Sequence, residues 1–158
     1  MKRKLIALYI CVPALIMFLA CSNEDPDRLN FSEKGNEVPV FNVDSAFSFV
    51  KKQVSFGPRN PNSEGHRLTK DYLLKKLQTY AGTKGVFAQE FTEAGYESDT
   101  LKLTNIIAAF NTQSSDRIML CAHWDTRPRA DEDTSNTDKP ILGADDGASG
   151  VGVLLEIA

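Results

Sequence analysis

The sequence has few cysteines and no excess of positive charge, and each shortage excludes a class of protein. Two of its three cysteines, Cys11 and Cys21, lie within or directly after the N-terminal apolar segment, so only Cys121 would belong to a folded domain. A scaffold held together by disulfides is therefore excluded. The net charge is −3, and lysine and arginine form no stripe. We therefore expect no nucleic acid as a partner.

The sequence also lacks an apolar run long enough to span a membrane comfortably. Residues 5–20 form an apolar stretch, whereas a transmembrane helix needs roughly 20 such residues. The basic residues at positions 2–4 directly precede this stretch, and that order is typical of a signal peptide.

The apolar stretch ends in Phe18-Leu19-Ala20-Cys21, which resembles a bacterial lipobox. We predict that residues 1–20 are a lipoprotein signal peptide, that Cys21 carries the lipid, and that the polar residues 21–40 form a tether. A cleaved signal peptide without lipid and an uncleaved anchor are the alternatives. The expected product is an exported bacterial lipoprotein, held by its lipid at a membrane, in the periplasm or on the outer membrane.

The rest of the sequence alternates between helical and strand-like patterns. Apolar residues recur at helical spacing within residues 46–54, and either Asp44 or Ser45 would cap that helix. A second helix is predicted between Ser63 and Gly82. Four runs typical of strands follow, at residues 86–92, 101–103, 105–110 and 117–122. This order predicts an α/β fold with a mixed sheet whose later strands are parallel and buried.

A histidine and an aspartate directly follow the last predicted strand. Side chains alternate between the two faces of an extended chain, so His123 and Asp125 would project to one side and Trp124 to the other. The pair would lie at the carboxyl end of that strand, which is where open α/β sheets place their sites. The sequence therefore predicts a functional site at this point.

A pair of aspartates lies in a glycine-flanked turn before an apolar helix that begins near Val151. A carboxylate at a helix N-terminus is held ionised by the helix dipole. Ionised carboxylate and neutral imidazole are ligands that zinc accepts, so Asp146 and His123 predict half of a zinc site. Asp146 could serve only as a helix cap, but adjacent aspartates framed by glycines exceed what capping needs.

Three segments of the chain resemble one enzyme family. They read FGPRNPNSEGH at residues 56–66, AHWDTRP at 122–128 and GADDGASGVGVLLEIA at 143–158. The segments resemble the zinc-dependent peptidase M28 family and, within it, the bacterial glutaminyl-peptide cyclotransferases of the animal-like type. The resemblance implies a three-layer α/β domain with a mixed, mostly parallel central sheet flanked by helices. Residues 41–158 would form the N-terminal part of that catalytic domain.

The resemblance also implies roles for individual residues. Asp146 would bind zinc, as a ligand of one ion in a cyclotransferase or as a bridge between two ions in an aminopeptidase. His123 would line the active site in the first case and bind the second zinc in the other, and Asp125 would support His123. Gly143, Asp145 and Gly147 would hold the turn. The substrate would be a peptide or protein with a free N-terminus.

Three functions are compatible with this interpretation. The motif HWDTRP at residues 123–128 favours a glutaminyl-peptide cyclotransferase. This enzyme is an acyltransferase that converts N-terminal glutamine to pyroglutamate and releases ammonia. A zinc aminopeptidase is the alternative within the family. A non-catalytic exported lipoprotein on the same scaffold, which would bind no zinc, is the alternative from another class.

The resemblance implies that relatives continue past Ala158, to an acidic pair and a distal histidine that complete the site. We therefore expect the C-terminal half of the domain to be missing and the 158 residues to be inactive alone.

The remaining polar residues are expected to have simpler, structural roles. Cys121 is expected to be buried in the core, with zinc binding as the alternative, and His66 to lie at the surface or to cap its helix. The acidic residues between 131 and 138 predict a solvated loop, with calcium as an alternative that lacks EF-hand spacing.

Overall fold

The computed structural model describes residues 39–95 and 97–158. The predicted signal peptide, Cys21 and residues 21–38 of the predicted tether lie outside this part. The described elements follow in the order α1 (Val43–Val54), α2 (Glu64–Ala81), a short 3-10 turn (Thr83–Gly85), β1 (Val86–Ala94), β2 (Thr100–Ala108), a π-helical turn (Ala144–Ser149) and α3 (Gly150–Ile157). This mixture of helices and strands agrees with the predicted α/β class.

Side-chain caps determine where the first two helices begin. The side chain of Asn42 accepts a hydrogen bond from the backbone N–H of Ser45 and caps α1, so the prediction that Asp44 or Ser45 caps this helix was wrong. An asparagine oxygen satisfies the same unpaired N–H groups as an aspartate or serine oxygen does. In α2 the side chain of Ser63 accepts from the backbone N–H of His66, and Gly82 ends the helix with a φ of 74°, both as predicted.

The described sheet is one antiparallel hairpin of β1 and β2. Its register runs from Val86 opposite Ala108 to Ala94 opposite Thr100. The predicted strands 101–103 and 105–110 correspond to one continuous strand, Thr100–Ala108, so the predicted end at residue 110 was wrong by two residues. Residues 117–122 do not form the predicted strand, and the described residues contain no parallel pair. The reason is the absence of a pairing neighbour in the described part of the chain, where Ile118 is 90% and Met119 86% exposed.

The apolar core lies between the three helices. Phe49 of α1, Leu73 of α2 and Val151 and Leu155 of α3 form it, with the partly buried side chains of Tyr72, Leu77, Ile106 and Trp124 packed around them. The helices α1 and α3 approach closely at Gly152, where a Cβ atom would lie 2.9 Å from the carbonyl oxygen of Ala46.

A buried glutamine ties the start of α3 to α1. The Nε2 atom of Gln53 donates to the carbonyl oxygens of Phe49 and Ala148, each at 3.1 Å. Ala148 belongs to the π-helical turn that contains Asp146. The position of that turn is therefore fixed by α1 as well as by the core.

Across residues 39–95 and 97–158, none of the helices combines the length and the apolar character needed to cross a membrane.

Candidate metal centre

The structure brings together the two segments that the sequence singled out. The Nε2 atom of His123 lies 3.1 Å from Oδ1 of Asp146. On the other side of the ring, Nδ1 lies 3.2 Å from the backbone oxygen of Asp125 and 3.6 Å from its Oδ1. The three side chains are about half exposed. The result is an open site with one imidazole between two carboxylates.

Both ring nitrogens of His123 face oxygen atoms that accept hydrogen bonds. A neutral imidazole has one N–H donor and one lone pair, so it can satisfy only one of these two sides. A hydrogen on Nδ1 would bond the carbonyl oxygen of Asp125 and leave the lone pair of Nε2 directed at Asp146. A cation between Nε2 and the carboxylate of Asp146 is one arrangement that satisfies both sides.

Glycines allow the turn of Asp146 to approach His123. Gly147 has a φ of 102°, and a Cβ atom there would lie 3.0 Å from the backbone oxygen of Asp125 and 3.1 Å from Cε1 of His123. Gly143 has a φ of 58°, so both positions adopt backbone conformations that glycine tolerates best. The backbone oxygen of Asp145 accepts a hydrogen bond of 2.6 Å from Oγ of Ser149. The three residues predicted to hold the turn are therefore part of it.

Arg59 is a residue of this centre that the sequence reasoning missed. Its side chain is fully buried and donates three hydrogen bonds to backbone oxygens. Nε donates to Trp124 at 2.9 Å, and the two terminal nitrogens donate to Leu142 at 2.7 Å and Gly143 at 2.6 Å. Its backbone N–H also donates to Oγ1 of Thr126 at 2.9 Å. The only signal was its place in the segment FGPRNPNSEGH, which gave no indication of these partners.

The charge of Arg59 faces the acidic side of the centre. Burial lowers the pKa of Arg59, while the carboxylates of Asp125 and Asp146 raise it. Because an arginine side chain stays protonated in proteins, the buried residue places a fixed positive charge near both carboxylates. This charge offsets part of the repulsion between Asp125 and Asp146.

Trp124 anchors the same segment on its opposite side. Its ring stacks on His66 with the centroids 4.2 Å apart, and its Nε1 donates to the backbone oxygen of Thr104 at 3.1 Å. His66 is only 7% exposed, so the expectation that it lies at the surface was wrong: the stack with Trp124 buries it. Burial lowers the pKa of His66, an effect that nearby Lys70 reinforces and Asp125 opposes.

Two other polar groups lie outside this centre. Cys121 is exposed, contrary to the prediction of a buried core residue, because nothing in the described residues covers the extended segment that contains it. Arg127 forms ion pairs with Asp131 at 2.9 Å and Glu132 at 3.3 Å. The first acidic residues of the predicted loop at positions 131–138 therefore pair with a neighbouring arginine.

The donor atoms fit zinc in kind, although the described residues supply only part of a ligand set. Zinc accepts both an imidazole nitrogen and a carboxylate oxygen, and Nε2 of His123 and Oδ1 of Asp146 face each other. Asp125 faces the opposite ring nitrogen and so adds no third donor on that side. Within residues 39–95 and 97–158, no group of three or more histidines, cysteines or acidic residues could hold a metal ion. His123 and Asp146 are thus the donors that this part of the chain offers.

Comparison with known proteins yields one family and consistent structural neighbours. The sequence profile of peptidase family M28 matches residues 105–158. The crystal structure of a glutaminyl cyclase from Tannerella forsythia is 50% identical, with a TM-score of 0.72 over 75% of this chain. That of a Zn-dependent exopeptidase from Parabacteroides distasonis is 46% identical, with a TM-score of 0.72 over 77% of this chain.

A curated relative from Pyricularia oryzae, described as a "probable zinc metalloprotease", is 29% identical over 70% of this chain. The chain spans 41% of the length of each of the two solved structures and 24% of the fungal protein. The structural matches confirm the predicted fold class.

Proposed function

Because this chain belongs to the peptidase M28 family, we propose that the complete protein is a zinc-dependent glutaminyl-peptide cyclotransferase. It would act on peptides or proteins that carry an N-terminal glutamine. The free α-amine would attack the γ-amide carbon, the bond from that carbon to the amide nitrogen would break, and ammonia would leave with the transferred proton. The product would be a peptide that begins with pyroglutamate.

The approach of His123 to Asp146 is the observation that carries this proposal. The ring of His123 lies between Asp125 and Asp146, with its two nitrogens 3.2 Å and 3.1 Å from their oxygens, so it lies directly beside the proposed zinc ligand. In this interpretation Asp146 holds a single zinc, and His123 lines the site with support from Asp125. Bound zinc would supply a Lewis acid for the amide carbonyl. The 50% identity with the Tannerella forsythia cyclase supports the same interpretation.

A zinc aminopeptidase is the second candidate, and a specific observation favours it. The Parabacteroides distasonis structure described as a Zn-dependent exopeptidase is 46% identical to this chain. In this interpretation the hydrogen of His123 lies on Nδ1 and bonds the backbone oxygen of Asp125. The lone pair of Nε2 would then bind a second zinc ion, which Asp146 would share.

Mass spectrometry of a peptide with N-terminal glutamine distinguishes these candidates. The peptide would be incubated with zinc and the complete gene product, since the chain spans less than half of its solved relatives. Loss of ammonia from an otherwise intact peptide supports the cyclotransferase, and release of free glutamine supports the aminopeptidase. No turnover, together with no zinc bound at equilibrium, would instead support a non-catalytic lipoprotein.

Neighbouring aspartates offer a matched pair of variants for the zinc ligand. Asp146→Asn removes the proposed ligand charge, and we expect loss of bound zinc and of turnover. Asp145→Asn removes a carboxylate from the adjacent residue, whose role in the turn uses its backbone oxygen. We expect this control to keep zinc and activity. Equal losses in both variants would contradict the assignment of Asp146.

The membrane anchor remains a separate proposal. We propose that Cys21 carries lipid and holds the domain at a bacterial membrane, because residues 18–21 resemble a lipobox. Metabolic labelling with a fatty-acid analogue should mark the complete protein but not a Cys21→Ser variant. Equal labelling of both proteins would contradict the proposal.

A further inference from the structure

Arg59 contacts both segments of the candidate centre, the one with His123 and the one with the proposed zinc ligand Asp146. Nε binds the backbone oxygen of Trp124, the residue next to His123. The terminal nitrogens bind the backbone oxygens of Leu142 and Gly143, shortly before Asp146. We propose that Arg59 is a positioning residue for the zinc centre, which fixes the segment of His123 against the turn of Asp146. The inference rests on the zinc-binding part of the proposed function and not on the choice of reaction.

The geometry of these contacts requires the planar group of an arginine. Three different nitrogens of one guanidinium each donate to a separate backbone oxygen, and two of the bonds reach adjacent residues of the Gly143 segment. A lysine offers a positive charge at a single nitrogen on a flexible stem and cannot reproduce this fork. Since Arg59 is fully buried, water cannot readily replace the missing donors. The role therefore belongs to the shape of the side chain and not to its charge alone.

The remaining contacts of Arg59 strengthen the junction between the two segments. Its backbone N–H binds Oγ1 of Thr126, and its backbone oxygen accepts from the N–H of Thr126 at 3.3 Å. The residue thus holds the chain directly after Asp125 by its backbone, and the chain before Asp146 by its side chain. Residues that orient metal ligands typically change metal affinity by about ten- to a hundredfold when they are replaced. Loss of the three guanidinium hydrogen bonds should weaken zinc binding by a factor within that range.

Zinc affinity of the complete gene product tests the proposal without any substrate. The dissociation constant would be measured by competition with a chelating dye for the wild type, Arg59→Lys and Arg59→Gln, at a temperature where thermal melting shows each protein folded. We expect both variants to bind zinc about ten- to a hundredfold more weakly. Arg67→Gln is the matched control, because Arg67 lies exposed on α2 and, among the described residues, forms ion pairs with Glu64 and Asp71 on the same helix.

The outcomes separate positioning from a purely structural role. A structural role would lower the melting temperature and leave the zinc affinity of the folded variants unchanged, which would overturn the proposal. Rescue of wild-type affinity by Arg59→Lys would also overturn it, as would a wild type that binds no zinc. Weaker zinc binding in a protein that does not cyclise glutamine would uphold the role of Arg59 and reject only the proposed reaction.

A milder variant decides the question if the Arg59 variants do not fold. Thr126→Val removes the hydroxyl that accepts from the backbone N–H of Arg59 and leaves the guanidinium in place. We expect zinc binding about tenfold weaker, at the low end of the range for such supporting contacts. If a folded Thr126→Val protein binds zinc as the wild type does, the junction between Arg59 and Thr126 does not position the centre, and the proposal that Arg59 fixes both segments is wrong.

Discussion

Gly147→Ala tests whether the backbone of the turn sets the contact between His123 and Asp146. Gly147 has a φ of 102°, and an added Cβ atom would lie 3.0 Å from the backbone oxygen of Asp125 and 3.1 Å from Cε1 of His123. Holding a non-glycine residue in such a conformation costs about 1–3 kcal/mol. The new methyl group would also push against the imidazole. We expect a lower free energy of unfolding together with weaker zinc binding.

Gly82→Ala supplies the matched control for this experiment. Gly82 ends α2 with a φ of 74° and a ψ of 158°, a region that is also nearly restricted to glycine. In the described part of the chain, however, no heavy atom beyond Gly82 and its two chain neighbours lies within 4 Å of its added Cβ. The two variants should therefore lose similar free energy of unfolding, about 1–3 kcal/mol, while only Gly147→Ala should bind zinc more weakly.

Urea unfolding and dye competition with the complete gene product measure these two effects separately. Equal zinc affinity in Gly147→Ala and Gly82→Ala would refute the reasoning, because the backbone penalty alone would then explain both proteins. A Gly147→Ala protein as stable as the wild type would refute the assignment of a glycine-only conformation to the turn.

Three further predictions concern the residues that support the centre. Gln53→Ala leaves the backbone oxygen of Ala148 without its donor and should lower the free energy of unfolding by about 1–3 kcal/mol, measured by urea titration; an unchanged midpoint would contradict the buried bond. Trp124→Phe removes the donor to the backbone oxygen of Thr104 and should cost a similar amount, about 1–3 kcal/mol, detected in the same titration. Burial lowers the pKa of His66 below its ordinary value of 6.5, so the unfolded chain binds the proton more readily and stability falls as the pH drops through and below that value. His66→Phe keeps an aromatic ring against Trp124 but has no group that titrates in this range. Between about pH 7 and pH 5, which spans the ordinary histidine pKa, its free energy of unfolding should fall less than that of the wild type. An equal fall in both proteins would contradict the prediction.

Features set by neighbouring residues could be predicted from the sequence. The helix that starts after Ser63 and ends at Gly82 depends on a local cap and a local glycine, and both were identified correctly. The first hairpin strand was predicted at residues 86–92 and is found at Val86–Ala94, because its β-forming residues lie in one run. The cap of α1 was misplaced because Asn42, Asp44 and Ser45 are all competent capping residues within one turn.

Features that depend on distant partners could not be read from the sequence. Residues 117–122 have the composition of a strand, yet strand pairing needs a neighbour that the described residues do not provide. His66 showed no sign of burial, since its stacking partner Trp124 lies far along the chain. Within the candidate centre, His123 was singled out by its place after a predicted strand and Asp146 by the glycines around its turn. The partners of Arg59 are backbone oxygens, which carry no sequence signature.

The span of the Arg59 contacts has a consequence for the order of folding. Its side chain joins residues that lie 65, 83 and 84 positions further along the chain. Closing such long loops costs entropy before any contact can compensate, and long-range contacts of this kind slow folding. During synthesis the hairpin of β1 and β2 can form early, but the junction at Arg59 must wait until Gly143 is available. We therefore expect the candidate centre around His123 and Asp146 to be among the last parts of this segment to acquire its native arrangement.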